Sequence, residues 1–259
     1  MINAKDSKGT FYVINKKNKI PIVLIHGVGL SHEIWEPQIN YFQNTTLAYD
    51  ILGHGKTSLN KKKISFDDFA EQLLSLIDDI KFEKRHLVGF SIGSLIARNF
   101  AIKNNRRLAS LTLLCSVFRR SKEQQQIVND RFEETKKNRL ISKQALKRWF
   151  SDEYLKKNPY INDKINSMIE KNNIDNFLKV YELFVKNKDE DDFEKITAKT
   201  LIVTGENDIG STPEMSKNLS KRISNSKVKI ISKAKHLGGI EHADDVNNII
   251  REHIDNDQT

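Results

Sequence analysis

Three residues of this chain have the types and local settings that nucleophilic catalysis needs: Ser91, Asp208 and His236. Ser91 is the centre of Gly89-Phe90-Ser91-Ile92-Gly93, which follows the strand-like His86–Gly89 and opens a helix-like segment at Ile92. A strand that turns at once into a helix strains its central residue and leaves room only for small residues two positions either side. The serine hydroxyl is then held clear of the backbone. The Ile92 N–H, at the start of the helix, points to where an oxyanion would form. A glycine-rich turn with a helix-capping serine would carry the same letters, so the motif needs partners before it means chemistry.

The partners arrive in a workable order. Asp208 lies in Thr204-Gly205-Glu206-Asn207-Asp208, directly after the apolar run Thr200–Thr204. His236 lies in Lys235-His236-Leu237, a few residues after Val228–Ile231. If these runs are parallel strands, all three residues reach one edge of the sheet. The acid then holds one ring nitrogen of the histidine, and the other nitrogen takes the serine proton. Glu206 is the alternative acid. A second glycine-bearing loop, His26-Gly27-Val28-Gly29, follows Ile20–Ile25 and offers the Val28 N–H as a second oxyanion donor beside that of Ile92. His26 is expected to hydrogen-bond within its own loop rather than act as a base. Asp50 and His54, in Asp50-Ile51-Leu52-Gly53-His54-Gly55, read as a structural turn near the site, with Asp50 bonding loop backbone. His242 and His253 fall on or beside the last helix-like segment, and no histidine spacing resembles a metal-ligand set. Neither a metal nor a cofactor is expected.

The elements that must position these residues alternate. Strand-like Ile20–Ile25, Thr46–Tyr49, His86–Gly89 and Leu108–Cys115 are interleaved with helix-like Phe66–Ile80 and Ile92–Ile102. From about Phe118 to Lys195 the apolar residues recur only at helical spacing, as in Leu146, Trp149, Phe150 and Ile165, Met168, Ile169. Strand-like Thr200–Thr204 and Val228–Ile231 then resume the alternation, and a last helix runs over 243–253. This predicts an α/β fold with a mostly parallel central sheet flanked by helices, formed by residues 1–117 and 196–259. Residues 118–195 are predicted to be an inserted helical lid, at a position where active-site covers occur. Phe90 beside the nucleophile, and Trp149 and Arg131 in the lid, are expected to contact substrate. Arg131 or Arg148 could pair with a substrate carboxylate. Helix packing is the competing role for Trp149.

Composition narrows the class. The 259 residues suffice for one large core without disulfide or metal staples. The one cysteine, Cys115, sits in an apolar run and is expected to be a buried core thiol, compatible with a reducing compartment. The start of the chain has no apolar segment of signal-peptide length, and no stretch approaches a membrane span, so a cytoplasmic protein is expected. The net charge is +9, but the lysines are interleaved with Asp and Glu and lack a stacking aromatic set. The expectation is therefore a small-molecule partner, with no nucleic acid and no membrane. The oligomeric state stays open, a homo-oligomer included.

Taken in order, HGVG, DILGHG, GFSIG, GENDIGSTP and KH resemble the α/β-hydrolase superfamily across nearly the whole chain. Ser91 at the turn separates the chain from haloalkane dehalogenases, which carry Asp there. More narrowly, Arg148-Trp149-Phe150-Ser151 and His236-Leu237-Gly238-Gly239-Ile240-Glu241 resemble 3-oxoadipate enol-lactonases, which often carry an RWF element in the lid and an HLxxIE element at the base. The chain departs from that group at the HGVG loop and at the turn after Asp50. The superfamily resemblance implies a serine hydrolase cleaving a carboxylic ester or lactone without a cofactor. The narrower one implies an enol-lactone substrate, with Trp149 near it. Two alternatives use the same fold: a C–C bond hydrolase of ring-fission dienoates, and a ligand-binding receptor with slow turnover.

Overall fold

The computed structural model describes residues 1–139 and 144–255. Their strands are β1 (Ile2–Lys5), β2 (Phe11–Asn15), β3 (Ile22–Ile25), β4 (Thr46–Tyr49), β5 (Arg85–Phe90), β6 (Leu108–Leu114), β7 (Thr200–Gly205) and β8 (Ser226–Ile231). They form one sheet in the order β1-β2-β4-β3-β5-β6-β7-β8. From β4 to β8 every pairing is parallel; β1 and β2 join antiparallel at one edge. The sequence reading starts the sheet at Ile20 and does not anticipate β1 and β2. Both are short, and β1 (Ile-Asn-Ala-Lys) is largely exposed, so it lacks the continuous apolar run that marks the buried parallel strands.

That run has a physical origin. In β3, Val23 and Ile25 enter the core on one face of the sheet while Ile22 and Leu24 enter the core on the other. One face is covered by α2 (Phe66–Asp79) and α3 (Ile92–Asn104), the other by α1 (Glu36–Tyr41) and α11 (Ala243–Asp255). In α2 the residues Phe69, Leu73, Leu76 and Ile77 are fully buried at helical spacing, and each such burial contributes about 1.5–3 kcal/mol.

Between β6 and β7 the described residues form five α-helices: α4 (Lys122–Asn138), α5 (Gln144–Trp149), α6 (Asp152–Lys157), α7 (Tyr160–Glu170) and α8 (Ile174–Val185). Their starts carry local signals. Ser121 and Gln124 cap α4 reciprocally, the Gln124 N–H donating to Ser121 Oγ (3.2 Å) and the Ser121 N–H to Gln124 Oε1 (2.8 Å). Ser151 Oγ accepts from the Tyr154 N–H at the start of α6. Ile161, Ile165 and Met168 of α7 join the core beneath α1 and α11. The remaining helices are α9 (Pro213–Ser220) and α10 (Gly238–Glu241). No helix among the described residues is long and apolar enough to cross a membrane.

One buried charge ties both ends of the α4–α8 block to α3. The Arg98 guanidinium donates to Val117 O (2.9 Å) where the chain leaves β6, and to Asp189 Oδ1 (2.7 Å) where it returns. Asp189 Oδ2 in turn accepts from the Arg119 N–H (2.8 Å). Both side chains are almost wholly buried. Removing one member leaves the other charge buried and without its counter-ion. Arg98→Ala is therefore expected to lower stability by about 3–5 kcal/mol, read from the urea unfolding midpoint. A loss under about 1 kcal/mol would contradict this account of the pair.

Candidate active site

The turn from β5 to α3 is built by close backbone contact. A Cβ on Gly89 would lie 2.2 Å from Gly93 O, and one on Gly93 would lie 2.4 Å from Ile25 O at the end of β3. With no room to relax, Ser91 adopts φ 55° and ψ −119°, a region that side-chain-bearing residues seldom occupy. Its N–H donates to Leu114 O (2.9 Å), and its carbonyl accepts from both the N–H and the hydroxyl of Ser94. These bonds hold the turn.

Asp208 follows β7 and is buried. Its Oδ2 accepts from His236 Nδ1 at 2.7 Å, and its Oδ1 accepts from the N–H groups of Gly210 (2.9 Å) and Ser211 (3.0 Å). Burial alone pushes the carboxyl pKa up. The His236 charge, the bond to it and the two N–H groups outweigh that, and the net shift is downward. The acid is thus held ionised, and it fixes His236 with Nε2 as the nitrogen left for chemistry. His236 packs on the Phe90 ring, with centroids 4.9 Å apart.

Ser91, His236 and Asp208 line one cavity of about 680 Å³, together with Phe90, Val28, Trp149 and Arg131. No hydrogen bond joins the Ser91 hydroxyl to His236 among the described residues, and such contacts commonly tighten only with substrate bound. The Ile92 side chain is fully buried in the core, and Ile92 is the first residue of α3. Glu206, the alternative acid, is exposed and accepts instead from Ser232 Oγ and the Lys233 N–H, outside the cavity.

His26 and Asp50 serve the loops. The Ile51 N–H donates to His26 Nε2 (3.1 Å), so the ring proton sits on Nδ1 and is donated to Gly27 O (2.8 Å). His26 is therefore neutral, and burial holds its pKa down at about 4. Asp50 accepts from the His32 N–H and Nδ1 (both 2.8 Å) and from the Lys56 N–H (2.8 Å). His54, also buried, lies at 5.6 Å from the His26 ring and is pushed down to about 3, first by burial.

Three contacts tie the α4–α8 side to the loops of the core. Asn172 donates from Nδ2 to Gly29 O (2.9 Å) and accepts the Gly55 N–H at Oδ1 (3.1 Å), bridging the two glycine loops. Glu241 accepts from the Ser151 N–H (3.0 Å) and from the Ser151 hydroxyl. The Leu237 N–H donates to Trp149 O (3.0 Å). The segments Arg148–Ser151 and His236–Glu241 are thus bonded to each other. An isolated Asn or Glu in a helical sequence gives no hint of such partners; only the fold supplies them.

Cys115, at the end of β6, is buried and donates to His236 O (3.2 Å). Its ligating atom lies within 4.8 Å of those of Asp208 and His236. Burial first, and then the Asp208 charge, push the thiol pKa well up, so it stays protonated.

Comparison with known proteins agrees with this architecture. The profile of the family described as alpha/beta hydrolase fold matches residues 20–243. The chain is 26% identical over 231 residues to an (E)-2-((N-methylformamido)methylene)succinate hydrolase of Acinetobacter baylyi, covering 88% of this chain and 87% of that protein. It is 26% identical over 246 residues to 3-oxoadipate enol-lactonase 1 of the same organism, covering 93% and 91%. Among solved structures, the enol-lactonase from Burkholderia xenovorans superposes with a TM-score of 0.83 at 20% identity, covering 98% of this chain and 99% of that one. A thermophilic esterase from Thermogutta terrifontis gives 0.87 at 22% identity, with full coverage of both.

Two outcomes follow from the geometry. The strained backbone of Ser91 suits glycine, so Ser91→Gly is expected to be about 1 kcal/mol more stable than Ser91→Ala in urea unfolding, a comparison that cancels loss of the hydroxyl. Equal stability would mean no strain is held there. The second concerns pH. Unfolded histidines take protons near pH 6.5, whereas folded His26 and His54 refuse them until about 4 and about 3. Across that interval the unfolded state binds more protons, so the unfolding free energy should fall as pH drops from 6.5 towards 4. Asp208 and Asp50, with lowered values, contribute their loss only below about 3.8. A flat stability profile between pH 6.5 and 4.5 would show that these histidines are not buried neutral.

Proposed function

The chain belongs to the α/β-hydrolase fold family, and on that premise we propose that it hydrolyses a carboxylic ester or lactone through an acyl-enzyme on Ser91. The observation that carries this is the 2.7 Å bond from His236 Nδ1 to the buried, ionised Asp208, in a cavity that Ser91 also lines. Ser91 Oγ attacks the carbonyl carbon while His236 Nε2 takes its proton. The Val28 and Ile92 N–H groups hold the resulting oxyanion, each worth about 2.7–4 kcal/mol in the transition state. The C–O bond then breaks, and the imidazolium returns the proton to the leaving oxygen. In a lactone that oxygen stays within the same molecule. Water attacks the acyl-enzyme, His236 takes its proton, and the proton passes back to Ser91 as the acid product leaves.

In this reading α4–α8 form the lid over residues 118–195, limiting the access of bulk water, with Phe90, Trp149 and Arg131 against the substrate. The similarity to 3-oxoadipate enol-lactonase 1 over 93% of the chain supports lactones as the first substrate class to test. The test is a product screen of the purified protein against enol-lactones, simple aryl esters and ring-fission dienoates, with Ser91→Ala beside it. The expected result is turnover of an ester or lactone that falls by ~10⁴-fold or more in Ser91→Ala. Activity that survived the substitution would remove Ser91 from the mechanism.

A further inference from the structure

We infer that the part of the cavity bounded by α4, α5 and α8 is a carboxylate-binding subsite formed by Arg131, Arg148 and Tyr181, so that the substrate cleaved at Ser91 carries a free carboxylate. This deepens the hydrolase reading above and rests on it.

Two cations in the cavity already have partners. Arg120 donates to Phe184 O and Val185 O at the carboxyl end of α8 and lies over the Phe184 ring at 4.6 Å. Lys235 Nζ donates to Lys147 O (2.8 Å). Arg131 and Arg148 also line the cavity, and both are half-buried. Neither guanidinium forms an ion pair or donates a hydrogen bond among the described residues. Glu134, the acidic side chain on the same wall, is exposed and makes no ion pair with them.

Two like charges, close enough to act on each other and partly withdrawn from water, are a costly arrangement without a counter-ion. Burial lowers the Arg148 pKa, and the neighbouring Arg131 charge lowers it further, which fits two guanidiniums sharing one space. Tyr181, from α8, stands between the charges of Arg131 and Arg148 electrostatically, and its hydroxyl makes no hydrogen bond among the described residues. A planar carboxylate satisfies all three. Guanidinium groups match it with paired N–H donors, and the phenol adds a third. A neutral ligand would leave the two charges with only the exposed Glu134 carboxylate, which acts on Arg148 without pairing to it, as compensation.

The test uses a matched pair of activated esters, 4-nitrophenyl hemiglutarate and the neutral 4-nitrophenyl pentanoate, with Ser91→Ala as blank. The quantity read is the ratio of kcat/KM, anionic over neutral. The expected ratio is about tenfold or more in the natural chain, falling about ten- to a hundredfold in Arg131→Gln and in Arg148→Gln. A ratio near one, or one that the substitutions leave intact, overturns the subsite while the hydrolase reading stands. If neither ester is turned over above the blank, the hydrolase reading is what fails for these substrates. Glutarate titrated into the full chain by calorimetry then decides the subsite separately. Saturable binding weakened about tenfold or more by both substitutions supports it; no binding, or binding indifferent to them, overturns it.

Discussion

The carboxyl edge of the sheet depends on one contact, that of Gly93 against the end of β3. Its missing side chain lets α3 start where an added Cβ would lie only 2.4 Å from Ile25 O, closer than any other residue could tolerate. That approach sets the turn tight enough to strain Ser91. It also brings the start of α3 against the loop that carries Gly27 and Val28. The Gly27 position is closed in the same way by Phe90, whose ring would lie 2.9 Å from an added Cβ. The nucleophile turn and the first glycine loop are therefore one packed unit, and neither can shift without the other.

Around that unit, buried polar groups are arranged so that each has a single satisfactory protonation state. His26 must be neutral to accept from Ile51 while donating to Gly27. Asp50 must be ionised to accept from His32 and Lys56. Asp208 must be ionised to hold His236. A network of this kind fixes loop geometry more narrowly than apolar packing does, because any slip leaves a donor or acceptor without a partner in a place water does not reach.

Much of this was legible in the sequence because the signals were dense and local. Gly89, Ser91 and Gly93 announce their turn through a requirement for small size. Asp208 and His236 each follow an apolar run, and parallel pairing alone then carries them to the edge where Ser91 stands. What could not be read depends on contacts between residues far apart in the chain. β1 is too exposed to show a pattern, and β2, though mostly buried, ends in Asn15 and a lysine-rich turn rather than in a motif. Asn172 looks like any helix-end asparagine until the fold sets it between Gly29 and Gly55. Arg98 lies inside an apolar helix with nothing nearby to say that Asp189, ninety-one positions on, will meet it. The segments around Trp149 and Glu241 were visible as a resemblance, but their mutual bonding was not. In this chain the two segments form a structural seam.

That seam has a consequence for anyone exchanging parts between hydrolases of this fold. Helices α4–α8 look like a cassette, since they begin and end between two adjacent strands. Yet Glu241 and the Leu237 N–H reach out of the His236 segment to bond with Ser151 and Trp149. A transplanted cassette lacking those acceptors and donors would leave a partly buried carboxylate searching for protons and would free the very loop that aims the imidazole. The natural boundary for such a graft is not the pair of strand ends but a discontinuous unit, the helices together with residues 236–241.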